Sequence, residues 1–154
     1  MIFFLFLLAG FCLSSLQALE ISGLYADNMV LQAGKSLKLR GKSDRDETVQ
    51  IEIDGRYFTG KASPDGCWMI ELPPHSPGGP HVLKISASSG SKIFQNVLFG
   101  EVWLASGQSN MNMALQQTDK AAAEIRTAEV SELRIYQVGL KTSTAPVSDV
   151  QGRW

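Results

Sequence analysis

Cysteine is nearly absent from this 154-residue chain, which has only Cys12 and Cys67. Cys12 falls in an N-terminal segment expected to be removed, which leaves Cys67 alone and excludes an internal disulfide. No Cys/His metal-ligand spacing surrounds Cys67, and it reads as a half-buried strand residue. Charge of one sign is also missing: 14 basic and 15 acidic residues give a net charge of -1, so nothing points to nucleic acid or an anionic membrane surface as a partner. There is no Asn-x-Ser/Thr sequon. Long apolar runs are confined to residues 1–19, which carry no charged side chain and are rich in Phe, Leu and Ile before Ser14, Ser15 and Ala18. That segment reads as a signal peptide over residues 1–18, cleaved after Ala18, although the usual basic N-terminus is missing and Leu16 is bulky for a cleavage site. The competing reading is a membrane-anchoring helix, which needs roughly 20 apolar residues. A lipoprotein reading fails because the large Phe11 precedes Cys12. The expected location is therefore secreted or periplasmic, with no stable membrane insertion after cleavage.

From residue 20 to residue 99 the text is short strands and turn chemistry. Leu37 and Leu39 alternate with Lys38 and Arg40, and Val49, Ile51 and Ile53 alternate with Gln50, Glu52 and Asp54. This is the period-two pattern of strands with one wet face. Asp54-Gly55 predicts a hairpin turn into residues 56–62, and Ser63-Pro64-Asp65-Gly66 a turn into 67–72. Trp68, Ile70 and Leu72 share one face. The Pro/Gly-rich stretch 73–80 predicts a loop, followed by a strand over 82–87, a turn at Gly90 and a last strand ending near Phe99. Strands recurring every 8–12 residues with turns between them imply an antiparallel β-sandwich over residues 20–99.

At Gly100 the pattern changes. Residues 101–105 hold a continuous apolar run without alternation, as in a parallel strand buried on both faces. Residues 106–110 form a polar turn, residues 116–130 have helical propensity, and residues 133–138 predict another strand. Strand, turn, helix, strand is one βαβ unit, so residues 100–154 are expected to be the incomplete start of an α/β domain.

Ser109 stands where the buried strand is expected to give way to a helix. A serine so placed is held at the carboxyl edge of the sheet, its N–H faces the space where a carbonyl oxygen becomes negative, and a helix N-terminus favours that charge. The alternative is that Ser109 only caps the helix. The nucleophile elbow Gly-x-Ser-x-Gly is half matched by Gly107-Gln108-Ser109-Asn110-Met111, whose second glycine is missing, which argues against an α/β-hydrolase.

The string GEVWLASGQSNM at residues 100–111 resembles the first block of the SGNH hydrolases in the form used by sialate O-acetylesterases. The resemblance extends to DNMVLQ at residues 27–32, to Asp65-Gly66-x-Trp68, to Leu72-Pro73-Pro74 and to Pro77-Gly78-Gly79-Pro80, in order over nearly the whole chain beyond residue 20. It implies a flavodoxin-like three-layer SGNH-hydrolase domain after the sandwich. It also implies a carbohydrate O-acetylesterase in which Ser109 attacks the acetyl ester and its N–H is one oxyanion donor, while Gly107, Gln108 and Asn110 shape the turn. The substrate implied is O-acetylated sialic acid or another acetylated glycan, and the chemistry requires no metal or organic cofactor.

A serine hydroxyl needs a base, normally a histidine oriented by a carboxylate. The family's Asp-x-x-His block is not found in these residues, so base and orienter are expected outside them and the chain alone is expected to be inactive. The two histidines, His75 and His81, read as surface or packing residues, and neither Asp119 nor Asp149 has a reason to be the orienting carboxylate. Met111 and Met113 read as packing residues, Trp68 and Trp103 as core, and Glu101 as paired or solvated. Trp154 and the polar stretch from residue 139 have no evident place. Two other readings stay open: a non-catalytic carbohydrate-binding or adhesion sandwich, with Ser109 as a helix cap, and an acetylxylan-type esterase.

Overall fold

The computed structural model describes residues 18–147 and 149–154. The expected signal peptide, residues 1–18, lies almost wholly outside them, as does Cys12. Ten strands and one short α-helix follow: β1 (Glu20–Ile21), β2 (Val30–Gln32), β3 (Leu37–Lys42), β4 (Thr48–Ile53), β5 (Arg56–Lys61), β6 (Cys67–Leu72), β7 (Gly78–Ala87), β8 (Gly90–Gly100), α1 (Ala121–Thr127), β9 (Gln137–Val138) and β10 (Gly152–Arg153). The protein is mostly β.

Two sheets share one core. The smaller has the order β1-β3-β6 and the larger β2-β8-β7-β4-β5. Alternation explains the assignment of faces. On β4, Val49, Ile51 and Ile53 are buried, and the register pairs Ile51 with Ile85 and Ile53 with Leu83 on β7, which are buried in turn. On β6, Trp68, Ile70 and Leu72 point into the core, while Cys67, Met69 and Glu71 are exposed. A one-residue slip would turn each set outward. The sequence expectation of a half-buried Cys67 is thereby corrected, because the register that buries Trp68 puts its neighbour in water.

Asp54 and Gly55 both have positive φ, 50° and 70°. This is the two-residue turn whose twist matches that of a hairpin, and it joins β4 to β5. The next turn does not make a second hairpin. The chain crosses there to the other sheet, where β6 pairs with β3. Gly41 on β3 serves close approach: a Cβ there would lie 2.3 Å from the Glu20 carbonyl oxygen and 2.5 Å from the Trp68 ring. The purely antiparallel expectation is corrected at one edge, where β2 runs parallel to β8, with Val30, Leu31 and Gln32 opposite Leu98, Phe99 and Gly100.

The expected α/β arrangement of residues 100–154 is not found among the described residues. Residues 101–105 form no strand, and Trp103 and Leu104, expected to be buried, are 85% and 94% exposed. The expected helix over 116–130 is reduced to a short 3-10 turn, Leu115–Gln117, and the seven residues of α1. Only Gln137–Val138 of the expected strand 133–138 is a strand, and it pairs antiparallel with β10. The reason is physical. A strand that is apolar on both faces needs a layer on each side, and no described residues supply those layers. No helix among the described residues is long and apolar enough to cross a membrane.

The most heavily bonded polar group is Glu47, only 8% exposed. Its carboxylate accepts from the Ser88 hydroxyl (2.5 Å), the Ser89 hydroxyl (2.7 Å), the Ser89 N–H (2.5 Å) and the Asp44 N–H (3.1 Å), tying the turn before β4 to the β7–β8 turn. Burial pushes the carboxyl upward, and the four donors outweigh it and bring its pKa down to about 2. A depressed folded-state pKa means that the stabilisation is complete above the ordinary carboxylate range and is lost as pH falls toward 2. Glu47→Gln is expected to cost on the order of 1–3 kcal/mol at neutral pH. In urea titrations from pH 7 to pH 2, the native protein should lose more stability than the variant, and parallel losses would contradict this role.

Candidate functional site

The segment carrying Ser109 leaves the large sheet at the end of β8. Its first anchor comes from the sandwich: the Val102 N–H donates to the Gln32 side-chain oxygen at 3.1 Å, while the Gln32 amide donates to the Ala33 carbonyl at 3.1 Å. Gln32 closes the 27–32 block, and the rest of that block explains its position. Met29 is fully buried, the Asp27 carboxylate accepts from the Gln95 N–H (2.7 Å), and the Asn28 side-chain oxygen accepts from the Asn96 amide (2.7 Å). Asn28 and Asn96 both adopt left-handed backbone conformations, with φ 66° and 55°, a region that asparagine tolerates.

Ser109 opens a four-residue 3-10 helix, Ser109–Asn112. The Met111 N–H donates to the Gln108 carbonyl at 2.9 Å, and the Met113 N–H reaches the Asn110 carbonyl at 3.4 Å. Gly107 lies close under Met111: a Cβ there would stand 2.5 Å from that side chain, which would have to shift. Gly107, Gln108, Ser109 and Asn110 are all exposed, and so is Glu101. Met111 and Met113, expected to pack, are about half exposed. Among the described residues no side chain hydrogen-bonds the Ser109 hydroxyl. The observed turn runs from Gln108 through the 3-10 helix Ser109–Asn112, with Gly107 just before it, and among the described residues no base reaches the Ser109 hydroxyl.

Both histidines bond elsewhere. His75 Nε2 lies 2.9 Å from one oxygen of Asp54 and His81 Nδ1 lies 2.8 Å from the other. His75 also stacks on Phe99 with centroids 3.9 Å apart, and His81 meets the same ring edge-on at 5.4 Å. The His81 hydrogen bond, against some desolvation and with the help of His75, holds the Asp54 carboxyl below its ordinary range. Sequence reasoning placed these histidines correctly at the surface and in packing but missed their convergence. The only hint was a carboxylate in a hairpin turn, far in sequence from two histidines that flank a Pro/Gly loop.

Residues 134–154 return to the sandwich. Arg134 donates to the Asn28 carbonyl (3.0 Å) and to the carbonyl and side-chain oxygens of Asn96. The Tyr136 hydroxyl donates to the Gly23 carbonyl (3.1 Å) and Trp154 Nε1 to the Leu24 carbonyl (2.9 Å). Asp149 accepts from the Ser22 hydroxyl (2.5 Å) and the Gly23 N–H (3.2 Å), and these donors hold its carboxyl below the usual range. Trp154, unplaced by sequence, packs against the core and the Tyr136 ring. Asp119 is exposed and takes no part.

The chain is similar in sequence and fold to known proteins. Sialate O-acetylesterase of Mus musculus is 38% identical over 109 residues, which are 68% of this chain and 19% of the mouse protein. The Rattus norvegicus sialate O-acetylesterase is 35% identical over 141 residues, 83% of this chain and 26% of the rat protein. The chain is a homologue of a short portion of the sialate O-acetylesterases. The crystal structure of a carbohydrate acetylesterase from Xanthomonas citri superposes with a TM-score of 0.84 at 33% identity, covering 89% of this chain and 32% of that one. The chain therefore spans a third or less of the length of these relatives. No protein-family model matches it. The stretch matched in the rat protein, 83% of this chain, is long enough to extend across residue 109.

Replacing Gln32 with Ala is expected to accelerate amide exchange at Val102 several-fold and to cost about 1 kcal/mol of stability. Unchanged protection at Val102 would show that Gln32 does not anchor the serine segment.

Proposed function

We propose that the chain contributes the β-sandwich, residues 20–99, and the opening of the SGNH-hydrolase catalytic domain, residues 100–154, to a carbohydrate O-acetylesterase. The observation that carries this reading is the homology with sialate O-acetylesterases across a span that includes the serine turn. In the proposed reaction Ser109 Oγ attacks the acetyl carbonyl and its proton passes to a base. The tetrahedral oxyanion is met by the Ser109 N–H, and collapse releases the sugar hydroxyl. Water then attacks the acetyl-serine and acetate leaves. Gly107, Gln108 and Asn110 hold the turn. The base, its orienting carboxylate and the remaining oxyanion donors belong to parts of the relatives that this chain does not span.

The exposed apolar residues support that division. Trp103, Leu104, Leu133, Ile135 and Leu140 are each more than two-thirds exposed, and residues of this kind are covered when a sheet acquires neighbouring strands and helices. The apolar residues 1–18 favour a secreted or periplasmic location. A second reading, an esterase for acetylated glycans other than sialic acid, is favoured by the Xanthomonas citri structure, which is described as a carbohydrate acetylesterase. The two readings are separated by assaying acetylated sialic acid against acetylated xylan.

In a protein that carries these residues together with the remaining length of the relatives, Ser109→Ala is expected to lower acetyl-ester hydrolysis at least 1,000-fold, on the order of the loss of an activated nucleophile, without changing the circular dichroism. The 154-residue chain alone is expected to show no Ser109-dependent turnover. Retained activity in the variant would refute Ser109 as the nucleophile.

A further inference from the structure

The carboxylate and two imidazoles gathered at the β4–β5 turn are not used by the serine chemistry. Asp54 Oδ1, Asp54 Oδ2, His75 Nε2 and His81 Nδ1 converge from three segments: the hairpin turn, the loop before β7, and β7 itself. The ligand atoms available from the three residues lie within 4.8 Å of one another. A tetrahedral site with metal–nitrogen distances near 2.0–2.1 Å places its ligands about 3.3 Å apart. Side-chain adjustments smaller than the width of an atom close that difference.

The tautomer of His75 makes the convergence informative. Its Nδ1 lies 2.7 Å from the Ser76 carbonyl oxygen, and a carbonyl only accepts, so Nδ1 carries the proton. In the neutral ring, Nε2 then presents a lone pair, and the atom facing it at 2.9 Å is a carboxylate oxygen, another acceptor. The contact is satisfied either by a second ring proton, which makes His75 an imidazolium paired with Asp54, or by a metal ion that takes that proton's place. A backbone carbonyl that holds the far N–H of an imidazole is also the usual outer contact of a metal-binding histidine, since it fixes the ring's orientation and leaves the other nitrogen free to ligate. Phe99, stacked on His75, limits its rotation. We propose that Asp54, His75 and His81 form a binding site for a divalent transition-metal cation of the zinc class, with water completing the coordination. Two imidazoles and one carboxylate are the donor set for such an ion, and not for calcium or magnesium, which take oxygen ligands. The role is structural, because the ion would link the β4–β5 turn to the loop that enters β7. One feature limits affinity: His81 Nε2 is buried without a partner, and ligation through Nδ1 puts the ring's proton there. Micromolar binding is therefore expected, weaker than that of a four-ligand zinc finger.

The test is titration of the whole chain with Zn2+ alone, in a Cys67→Ser background so that the exposed thiol does not compete. Calorimetry is expected to give one ion per chain. At a zinc concentration 100 times the dissociation constant, the ratio of folded to unfolded protein should rise about 100-fold. Substitution of Co2+ should give the visible absorption of a low-symmetry nitrogen–oxygen site. His75→Gln should weaken binding at least tenfold. Asp54→Asn should do the same while keeping the turn, since asparagine is favoured at that positive-φ position. The proposal is overturned if there is no stoichiometric uptake at 1 mM Zn2+, or if uptake is the same in both variants. It is also overturned if protonation alone stabilises the cluster and zinc does not.

Discussion

The packing of Val49, Ile51 and Ile53 on β4 against Leu83 and Ile85 on β7 is the constraint on which the other contacts rest. Burying a side chain of this size is worth about 1.5–3 kcal/mol, and the observed register pairs Ile51 with Ile85 and Ile53 with Leu83, a set that a one-residue slip would turn outward. With that register set, Asp54 begins its turn one residue past the Ile53–Leu83 pair, within reach of His81. The β7–β8 turn must then fall at Ser88 and Ser89, where it meets Glu47. Both polar clusters of the sandwich are therefore consequences of apolar alignment. They do not produce it.

Polar groups then perform what the core cannot. Glu47 is buried close to the apolar core, and its four donors convert a costly buried charge into a link between two turns. Gln32 and the pair Asn28–Asn96 have a comparable role at the opposite edge, where β2 runs parallel to β8 and no hairpin supplies the connection. That edge is where the chain passes into the Ser109 segment. The residues of the 27–32 block anchor the end of β8, from which the serine turn departs.

The sandwich and the following residues differ in how they satisfy their apolar side chains. In residues 20–99 each strand finds a partner, and the alternating apolar residues of β4 and β6 reach the shared core. In residues 101–154 hydrogen bonds from Arg134, Tyr136 and Trp154 bind the segment back to the sandwich, but Trp103, Leu104 and Leu140 meet water. Such a segment has the sequence of an interior and, among the described residues, the surroundings of a surface.

Sequence by itself determined the strands β3 to β6, the second half of β7 and β8, because period-two alternation and the Asp54-Gly55 and Pro64-Asp65-Gly66 turns are local properties of the chain; it read Gly78–Pro80 as loop, where the structure already has β7. It also singled out Ser109 through an ordered series of motifs. Tertiary structure decided which sheet each strand joins. It sent β6 to β3 rather than to its neighbour β5, placed β2 parallel to β8, and left Cys67 in water. It alone brought Asp54 to His75 and His81, since residues separated by 21 and 27 positions become neighbours only after the core has chosen a register. The continuous apolar run at 102–105, within the segment 101–105, shows the same principle from the other side. Composition states that a segment needs cover on both faces, but a strand forms only where other chain segments provide it.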